Sequence, residues 1–513
     1  MRKLLNILGC LAMTTIVFIS CDFKDKGLLE VSPISDILID TTGIPATQSL
    51  DRGDELIIKP KISRAGVKEG DLSYEWRITK RPGNALADYD LIGKEEHLKA
   101  VITLAPSTDA YMLWLRVTDK STGLISGLTW PVVVETPVNQ GLVVADSDDG
   151  VNSDLSVIQD TIFTFNWYVN INATPIVRKP TLIRKNEFSR VHKRKFKGII
   201  NSLFAQRLYF EGIYRNFLHG ASRTDAFRIN TIDYSILAEG KQLFYDPTVV
   251  LNIDRYFVNV GKGIIMNSNK VCARETERNT DIGYAKFGIP KPGDYKANKH
   301  IAVHPTLGSN AIFYDEGLGK FLMIGSYYET NNKPQEGGVE TLPFAPRNLP
   351  GYTVLGGGIG NLAEVRFVLK KEDYYGVFTL TSAGVPRRVL DISNAPDIKN
   401  AVSFVFPSDQ AVIYYATASQ VYSIRIPQGS APTYTHLYSS PEPITMLEML
   451  RRSGSRTVQY TERCLLAITY NGNEGKVTTL PIPSSGLDLG IIDLSRSAVF
   501  GGFKKISAVA VQE

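Results

Sequence analysis

Short runs in which every second residue is apolar, separated by turn residues, fill the first quarter of the chain. The clearest is Leu72–Thr79. Leu72, Tyr74, Trp76 and Ile78 fall on one face, and Ser73, Glu75, Arg77 and Thr79 on the other. A repeat of two marks a strand with one buried face. Glu55–Ile62 and Ala100–Leu104 supply further strands. Tyr111–Asp119 runs into a turn at Lys120–Gly123, and the chain returns as "LTWPVVVET" from Leu128. Strands punctuated by turns about every 8–12 residues predict a β-sandwich over residues 34–137, with Trp76 as its central core tryptophan. No cysteine pair flanks Trp76, so the sandwich is expected to hold without a disulfide.

After Val138-Asn139-Gln140 the texture changes but stays β. "GLVVAD" from Gly141 and "DLSVIQD" from Asp154 flank an acidic turn. Near the C-terminus a short element recurs. Val377-Phe378-Thr379-Leu380, Val421-Tyr422-Ser423-Ile424 and Val477-Thr478-Thr479-Leu480 share the form V-x-[ST]-[LI], spaced by 44 and 56 residues. Periods of roughly 40–50 residues with several strands each predict a β-propeller, of about seven blades over residues 138–513. A propeller must close its ring, and the final "FKKISAVAVQE" is expected to pair with "GLVVAD". One segment departs from this pattern. In residues 190–218, Phe196, Ile199, Ile200, Leu203 and Phe204 recur at helical spacing behind a densely basic start. They predict a helical insertion packed on the propeller, its basic end in solvent. The competing reading is a basic amphipathic helix that docks on lipid or a partner. The fold class expected is all-β.

The sandwich carries a resemblance. "YEWRI" from Tyr74, followed by "LWLRVTDKSTG" from Leu113, resembles the PKD-type immunoglobulin-like domain, whose marks are a Y-x-W strand and a V-T-D-x-x-G hairpin. The F-G-D-G usual after the tryptophan is replaced by Ile78-Thr79-Lys80-Arg81, so no calcium or ligand role is carried over.

The N-terminus opens with Arg2 and Lys3, followed by an apolar run from Leu4 to Ile19. The run is too short and interrupted for a transmembrane helix. It reads as a secretory signal. Phe18-Ile19-Ser20-Cys21 resembles the lipobox of bacterial lipoproteins. The resemblance implies that residues 1–20 are removed and that Cys21 becomes the lipidated first residue; residues 21–33, polar with few apolar anchors, read as a tether. Leu8-Gly9-Cys10 also resembles a lipobox but leaves too few apolar residues upstream. The alternative is an ordinary signal peptide that happens to contain cysteines. Beyond Cys21 only Cys272 and Cys464 remain, which make no disulfide framework and are expected as buried free thiols. The formal net charge of +5 falls to +3 without Arg2 and Lys3, which gives no ground for nucleic-acid binding.

Each motif that could carry chemistry also has a structural reading. "LGGGIGNLA" (Leu355–Ala363) approaches a dinucleotide-binding pattern, but strand-like sequence follows where a helix is required. A glycine-rich propeller loop is expected instead. Asp146, Asp148, Asp149 and Asp154 cluster in an acidic turn that misses the EF-hand spacing. A solvated hairpin is expected there, and a calcium site is the alternative. His300 and His304 lack the glutamate of a metalloprotease helix, and Pro305 follows. Tyr327-Tyr328 and Tyr374-Tyr375 fall near predicted loops. No sialidase box and no G-x-S-x-G elbow occurs. The sequence therefore assigns no catalytic, metal-binding or cofactor-binding residue, and it leaves the substrate-binding residues unassigned.

The order of lipobox, PKD-like sandwich and propeller resembles the PKD-like family of surface lipoproteins of Bacteroidota. That resemblance implies a non-catalytic, lipid-anchored accessory subunit of a SusC/SusD-type TonB-dependent outer-membrane importer, helping to capture oligopeptides. Its implied partners are the transporter complex, other surface lipoproteins, the membrane through the lipid, and a peptide or glycan ligand. No cofactor is implied. The implied location is the outer membrane, on the cell surface. The acidic export run after the lipid cysteine is broken here, since Phe23 and Lys24 separate Asp22 from Asp25 and Lys26 follows. The periplasmic face is thus the alternative. Asp40-Thr41-Thr42 and Asp160-Thr161-Ile162 match the short O-glycosylation pattern of that phylum. Two other functions stay open: a surface glycan-binding protein, and a propeller hydrolase or lyase with carboxylates from separate blades.

Overall fold

The computed structural model describes residues 35–66, 71–83, 88–107, 109–135, 140–164, 168–170, 177–210, 213–259, 262–274, 286–303, 311–324, 332–360, 364–451 and 462–512. The signal and tether, with Cys10 and Cys21, lie outside them. The chain divides into two units. One takes the described parts of 1–50, 54–102 and 108–133, and the other takes 51–53, 103–107 and the residues from Val134 on.

The first unit is the sandwich. A five-stranded sheet runs in the order Gln48–Asp51, Ile125–Glu135, Tyr111–Asp119, Leu72–Thr79, Tyr89–Gly93. Glu55–Ile58 pairs with Leu98–Val101, and Leu38–Asp40 with Lys61–Ser63, both antiparallel. Tyr111–Asp119 alternates strictly, burying Tyr111, Leu113, Leu115 and Val117. Trp76 is fully buried and stacks on Trp130 with ring centroids 5.7 Å apart. Its indole N–H donates to the Glu95 carbonyl at 2.8 Å, which satisfies the one polar atom that burial would otherwise strand. The V-T-D-x-x-G hairpin also has a physical basis here. Buried Asp119 accepts from the backbone N–H and hydroxyl of Ser121 and from the Thr122 hydroxyl, each at 2.7 Å, and it pairs with Arg64. Gly123 turns back at φ +72°, a left-handed conformation suited to glycine, and its N–H reaches the Asp119 carbonyl at 2.8 Å.

Among its described residues the second unit contains seven sheets arranged as a closed ring, besides a two-stranded ladder of Tyr168–Asn170 with Val177–Arg178. The first joins Lys505–Gln512, Gly141–Ser147, Asp154–Gln159 and Leu182–Arg184. The second is Ile200–Phe210, Ile213–Ser222, Ala226–Asn230 and Ile236–Glu239. The third is Ile253–Asn259, Lys262–Asn267 and Lys270–Arg274, with Phe287 bridging Arg274 where an outer strand would lie. The fourth is Ala302–Val303, Ala311–Asp315, Lys320–Ile324 and Gln335–Glu336. The fifth is Thr353–Ile359, Val365–Lys371, Tyr374–Leu380 and Pro386–Asp391. The sixth is Ser403–Val405, Val412–Ala416, Gln420–Arg425 and Thr433–Ser439, and the seventh Ile444–Met449, Cys464–Tyr470, Gly475–Pro481 and Val499–Phe503. The first-named strands approach one another between the first and second, second and third, fourth and fifth, fifth and sixth, and sixth and seventh sheets.

A separate apolar core fills each gap between successive sheets. Val143 and Leu155 meet Leu218 and Phe227 between the first and second sheets, and Ala221 meets Tyr256 and Ile265 in the next gap. Ile264 meets Phe313, Tyr314 meets Phe367, Val377 meets Ile413, and Val412 meets Leu465 in turn. Leu466 and Ile468 then meet Leu142 and Val144, closing the circle. Radial sheets bury both faces, so every residue of Gly141–Ser147 is buried. That is why the period-two pattern of the sandwich disappears here: strands covered on both sides read as continuous apolar runs.

The expected strand pairing at closure is present. Lys505–Gln512 runs antiparallel to Gly141–Ser147, with Gly141 opposite Gln512 and Val143 opposite Ala510. The three V-x-[ST]-[LI] elements are each the third strand of a sheet, in the fifth, sixth and seventh. The corresponding strands of the second to fourth sheets read "AFRIN", "KVCAR" and "KFLMI", which explains why the repeat was not visible earlier in the chain.

Two expectations are corrected. Among the described residues of 190–218 there is no helical insertion. A short helix, Glu187–His192, ends at Lys193, and the two long strands of the second sheet follow as an antiparallel hairpin. Ile200 and Leu203 are buried in one core while Phe204 packs toward the next, and a bulge lies between Ile200 and Ser202. Double-sided burial combined with a bulge imitates helical spacing. The basic run is held at the surface: Arg194 pairs with Glu239 at 2.6 Å, and Lys195 pairs with Asp148. The glycine-rich stretch is the second correction. Leu355–Ile359 is not a loop but part of the axial strand of the fifth sheet, and a strand follows it, not a helix. A Cβ on Gly357 would lie 2.4 Å from the His300 carbonyl, and one on Gly358 would lie 2.7 Å from Phe406. Glycine is required there for close packing around the axis.

Candidate functional site

The acidic turn forms as a hairpin whose carboxylates already have partners. Asp149 accepts from the backbone N–H groups of Val151 and Asn152, at 2.8 and 2.7 Å. Asp146 accepts from the Lys504 N–H at 2.7 Å, and Asp154 from those of Leu155 and Ser189 at 2.8 and 3.1 Å. Lys195 lies on Asp148 and 3.6 Å from Asp149. Hydrogen bonds from Asn152 and Val151 hold the Asp149 carboxyl below its usual range, and one from Lys195 does the same for Asp148. Among the described residues no group of histidine, cysteine and carboxylate side chains converges as a metal site.

His300 sits next to the axial strands, and burial pushes its imidazole down to about 3. His304 lies outside the described residues, as do Tyr327 and Tyr328. Tyr374 and Tyr375 are placed: Tyr375 is buried in the gap between the fifth and sixth sheets, and Tyr374 packs edge-on to Tyr352. Both serve as packing. Cys272 and Cys464 are buried free thiols, each pushed up to about 12 by burial. They are inert in that state.

Charged groups gather at the axis, where the sequence had suggested nothing. Arg255 comes from the axial strand of the third sheet and Glu448 from that of the seventh. Burial raises the Glu448 carboxyl, while Arg255 and then Arg451 pull it down. Arg255 Nη1 donates to the Lys299 carbonyl at 2.9 Å. Arg451 Nε donates to Glu462 at 3.0 Å, and its Nη2 donates to the Phe406 carbonyl. Both Arg255 and Glu448 keep some solvent-accessible area while protein surrounds them. The charge partners of Glu448 are guanidiniums, not a second carboxylate. Two-carboxylate glycoside chemistry needs an acid and a base or nucleophile facing each other. The Glu448 carboxyl instead lies in the field of two guanidiniums, one of them on the axial strand of the third sheet.

A sealed polar network lies between the second and third sheets. The Tyr256 hydroxyl donates to His219 Nδ1 at 2.8 Å, and His219 Nε2 donates to Gln206 Oε1 at 2.9 Å. Arg274 Nη2 donates to the same oxygen at 3.3 Å. An amide oxygen only accepts, so the proton of neutral His219 is assigned to Nε2. Burial first, then Arg274 and Arg228, holds the imidazole well below its usual value.

A cavity of about 510 Å³ opens beside the fourth sheet. Its lining includes Lys320, Lys333, Arg347, Glu336, Asp294 and Leu318. Lys320 Nζ pairs with Glu336 at 2.6 Å, and Arg347 Nη1 lies 3.7 Å from the same carboxylate. Here charged side chains meet solvent in a concave setting. Its residues come from separate turns and the last two strands of the fourth sheet, so no local motif announces it.

Comparison with known proteins gives one family match. A model of the PKD-like family matches residues 21–180, covering the sandwich and the first propeller strands. Among curated proteins none matches the chain in sequence. In structure the chain is similar to a quinonprotein alcohol dehydrogenase-like protein of Bacteroides thetaiotaomicron, at 12% identity and TM-score 0.48, over 94% of this chain and 100% of that one. It is also similar to a protein from Lactobacillus plantarum, at 9% identity and TM-score 0.37, over 86% and 100% of the two chains. The WD40 domain of SCAP from fission yeast is similar at 9% identity and TM-score 0.32, over 56% and 69%. The seven sheets and their seven cores, not these likenesses, define the propeller.

Proposed function

We propose that the chain is a non-catalytic, lipid-anchored accessory subunit of a SusC/SusD-type TonB-dependent outer-membrane nutrient importer, helping to capture oligopeptides at the cell surface. The observation that carries this reading is the PKD-like match, which begins at Cys21, the residue where a lipidated mature chain would start. The sandwich and propeller that follow have the expected order. In this reading the lipid anchors the chain, the sandwich acts as a spacer, and the propeller offers a broad rigid face to ligand or transporter. The axial charges fit a structural role better than catalysis, since Glu448 answers to Arg255 and Arg451. Glycan platforms need exposed aromatic faces, and among the described residues Tyr245 is the one exposed aromatic of the large apolar side chains.

The test is purification of the tagged native protein from outer membranes in mild detergent. A SusC/SusD-type pair is expected to co-purify, and recovery of the protein always alone would overturn the reading. Cys21→Ala should release the protein from membranes; retention without partners would contradict the lipid anchor.

A further inference from the structure

We propose that the cavity beside the fourth sheet binds the C-terminal carboxylate of a short peptide. The volume of about 510 Å³ lies within the size of small-ligand pockets. Three cations, Lys320, Lys333 and Arg347, face two carboxylates, Glu336 and Asp294, so positive charge is in excess. The three cations are not equally occupied. Lys320 is committed to Glu336 at 2.6 Å, and this contact holds the Glu336 carboxyl below its usual range. Arg347 spends its Nε on the Gly337 carbonyl at 2.7 Å, and its Nη1 stands 3.7 Å from Glu336, beyond hydrogen-bond reach. Its outer N–H groups are thus left for a ligand. Lys333 is exposed and makes no hydrogen bond or ion pair among the described residues. A guanidinium with a free edge beside an uncommitted ammonium suits a planar carboxylate.

The rest of the lining selects the body of the ligand. Leu318, Leu322 and Pro334 supply apolar surface next to the cations. Tyr295 is the one aromatic in the lining, and it is unavailable for stacking. Its ring is buried beneath Lys270 Nζ at 4.3 Å, and its hydroxyl is held between the Val271 N–H and the Lys291 carbonyl, each at 3.1 Å. An acidic sugar would find the charge it needs but no ring to stack on. A peptide end with an apolar side chain finds both charge and apolar contact. Asp294 adds an acceptor suited to the ammonium group of a short zwitterionic peptide.

This assignment rests on the importer reading only for the supply of peptides. It is tested by equilibrium dialysis of the native protein against a tetrapeptide pool with free C-terminal carboxylates, and against the same pool amidated, read by mass spectrometry. Amidation should weaken retention by about tenfold or more. The double variant Lys333→Ala/Arg347→Ala should lose retention of the free-acid pool to a similar extent. Equal retention of both pools, or none of either, overturns the assignment, as does stronger retention of acidic oligosaccharides than of peptides. Should the variant unfold, the comparison of the two pools on the native chain still decides. Failure here with intact co-purification of the transporter would leave the importer reading standing, and peptide retention by a protein always recovered alone would do the reverse.

Discussion

Gly141 lies opposite Gln512, so the two ends of the propeller sequence share one sheet. The strand Lys505–Gln512 covers one edge of Gly141–Ser147 and lends Ile506 and Val511 to one core and Ala508 to the other. An open ring would expose both that strand edge and two apolar surfaces. Deletion of residues 505–513 is therefore expected to abolish cooperative folding of the propeller. Near-ultraviolet circular dichroism and size-exclusion chromatography would show it; a monomer with the native spectrum would refute the closure.

In the sandwich, Asp119 is fully buried and holds Ser121, Thr122 and Arg64 together. Asp119→Ala leaves a largely buried guanidinium without its carboxylate and frees the turn. The expected cost is about 3–5 kcal/mol, the range for breaking a buried pair from one side. Urea unfolding monitored by tryptophan fluorescence near Trp76 reads this, and a shift under about 1 kcal/mol would argue that the pair is effectively solvated.

Around the axis, Gly357→Ala should destabilise the propeller by about 1–3 kcal/mol, because the new methyl meets a backbone carbonyl that has no flexible end to move aside. The clash is with His300 O at 2.4 Å and the Phe367 ring at 2.6 Å. Denaturant midpoints of the two proteins decide it, and an unchanged midpoint would mean the axial strands have room to shift.

The buried imidazole of His219 makes a pH prediction. Its native pKa lies well below the ordinary value of 6.5. Below that value the unfolded chain takes up a proton that the native chain refuses. The stability contributed by neutral His219 is thus fully present above about pH 6.5 and is lost as the pH falls, at up to about 1.4 kcal/mol per pH unit. His219→Gln, which can still hydrogen-bond Tyr256, should flatten the decline between pH 6.5 and 5 relative to the native protein. Parallel curves for the two proteins would show that another group sets the slope.

What the sequence determined by itself was the material organised by local rules. Tyr111–Asp119 buries every second residue, and a half-buried strand writes that face into the sequence; in Leu72–Thr79 Trp76 and Ile78 are buried as the alternation predicts, while Thr79 on the opposite face is buried too. The hairpin of Asp119 and Gly123 is likewise local, since its hydrogen bonds join neighbours. The late V-x-[ST]-[LI] repeats and the apolar C-terminal strand sufficed for a propeller that closes on Gly141–Ser147. The tertiary structure alone decided the rest. Ile200–Phe210 looked helical because two cores and a bulge share it, and the glycines of Thr353–Ile359 looked like a loop because close packing at the axis excludes side chains. The pull of Arg255 on Glu448 joins the third and seventh sheets and so depends on ring closure, whereas Lys333, Glu336 and Arg347 meet because neighbouring turns fold around the outer strand of the fourth sheet. No local pattern encodes the first of these meetings, because its side chains converge only after separate sheets have packed, and none encodes the second, because irregular turns carry no repeat.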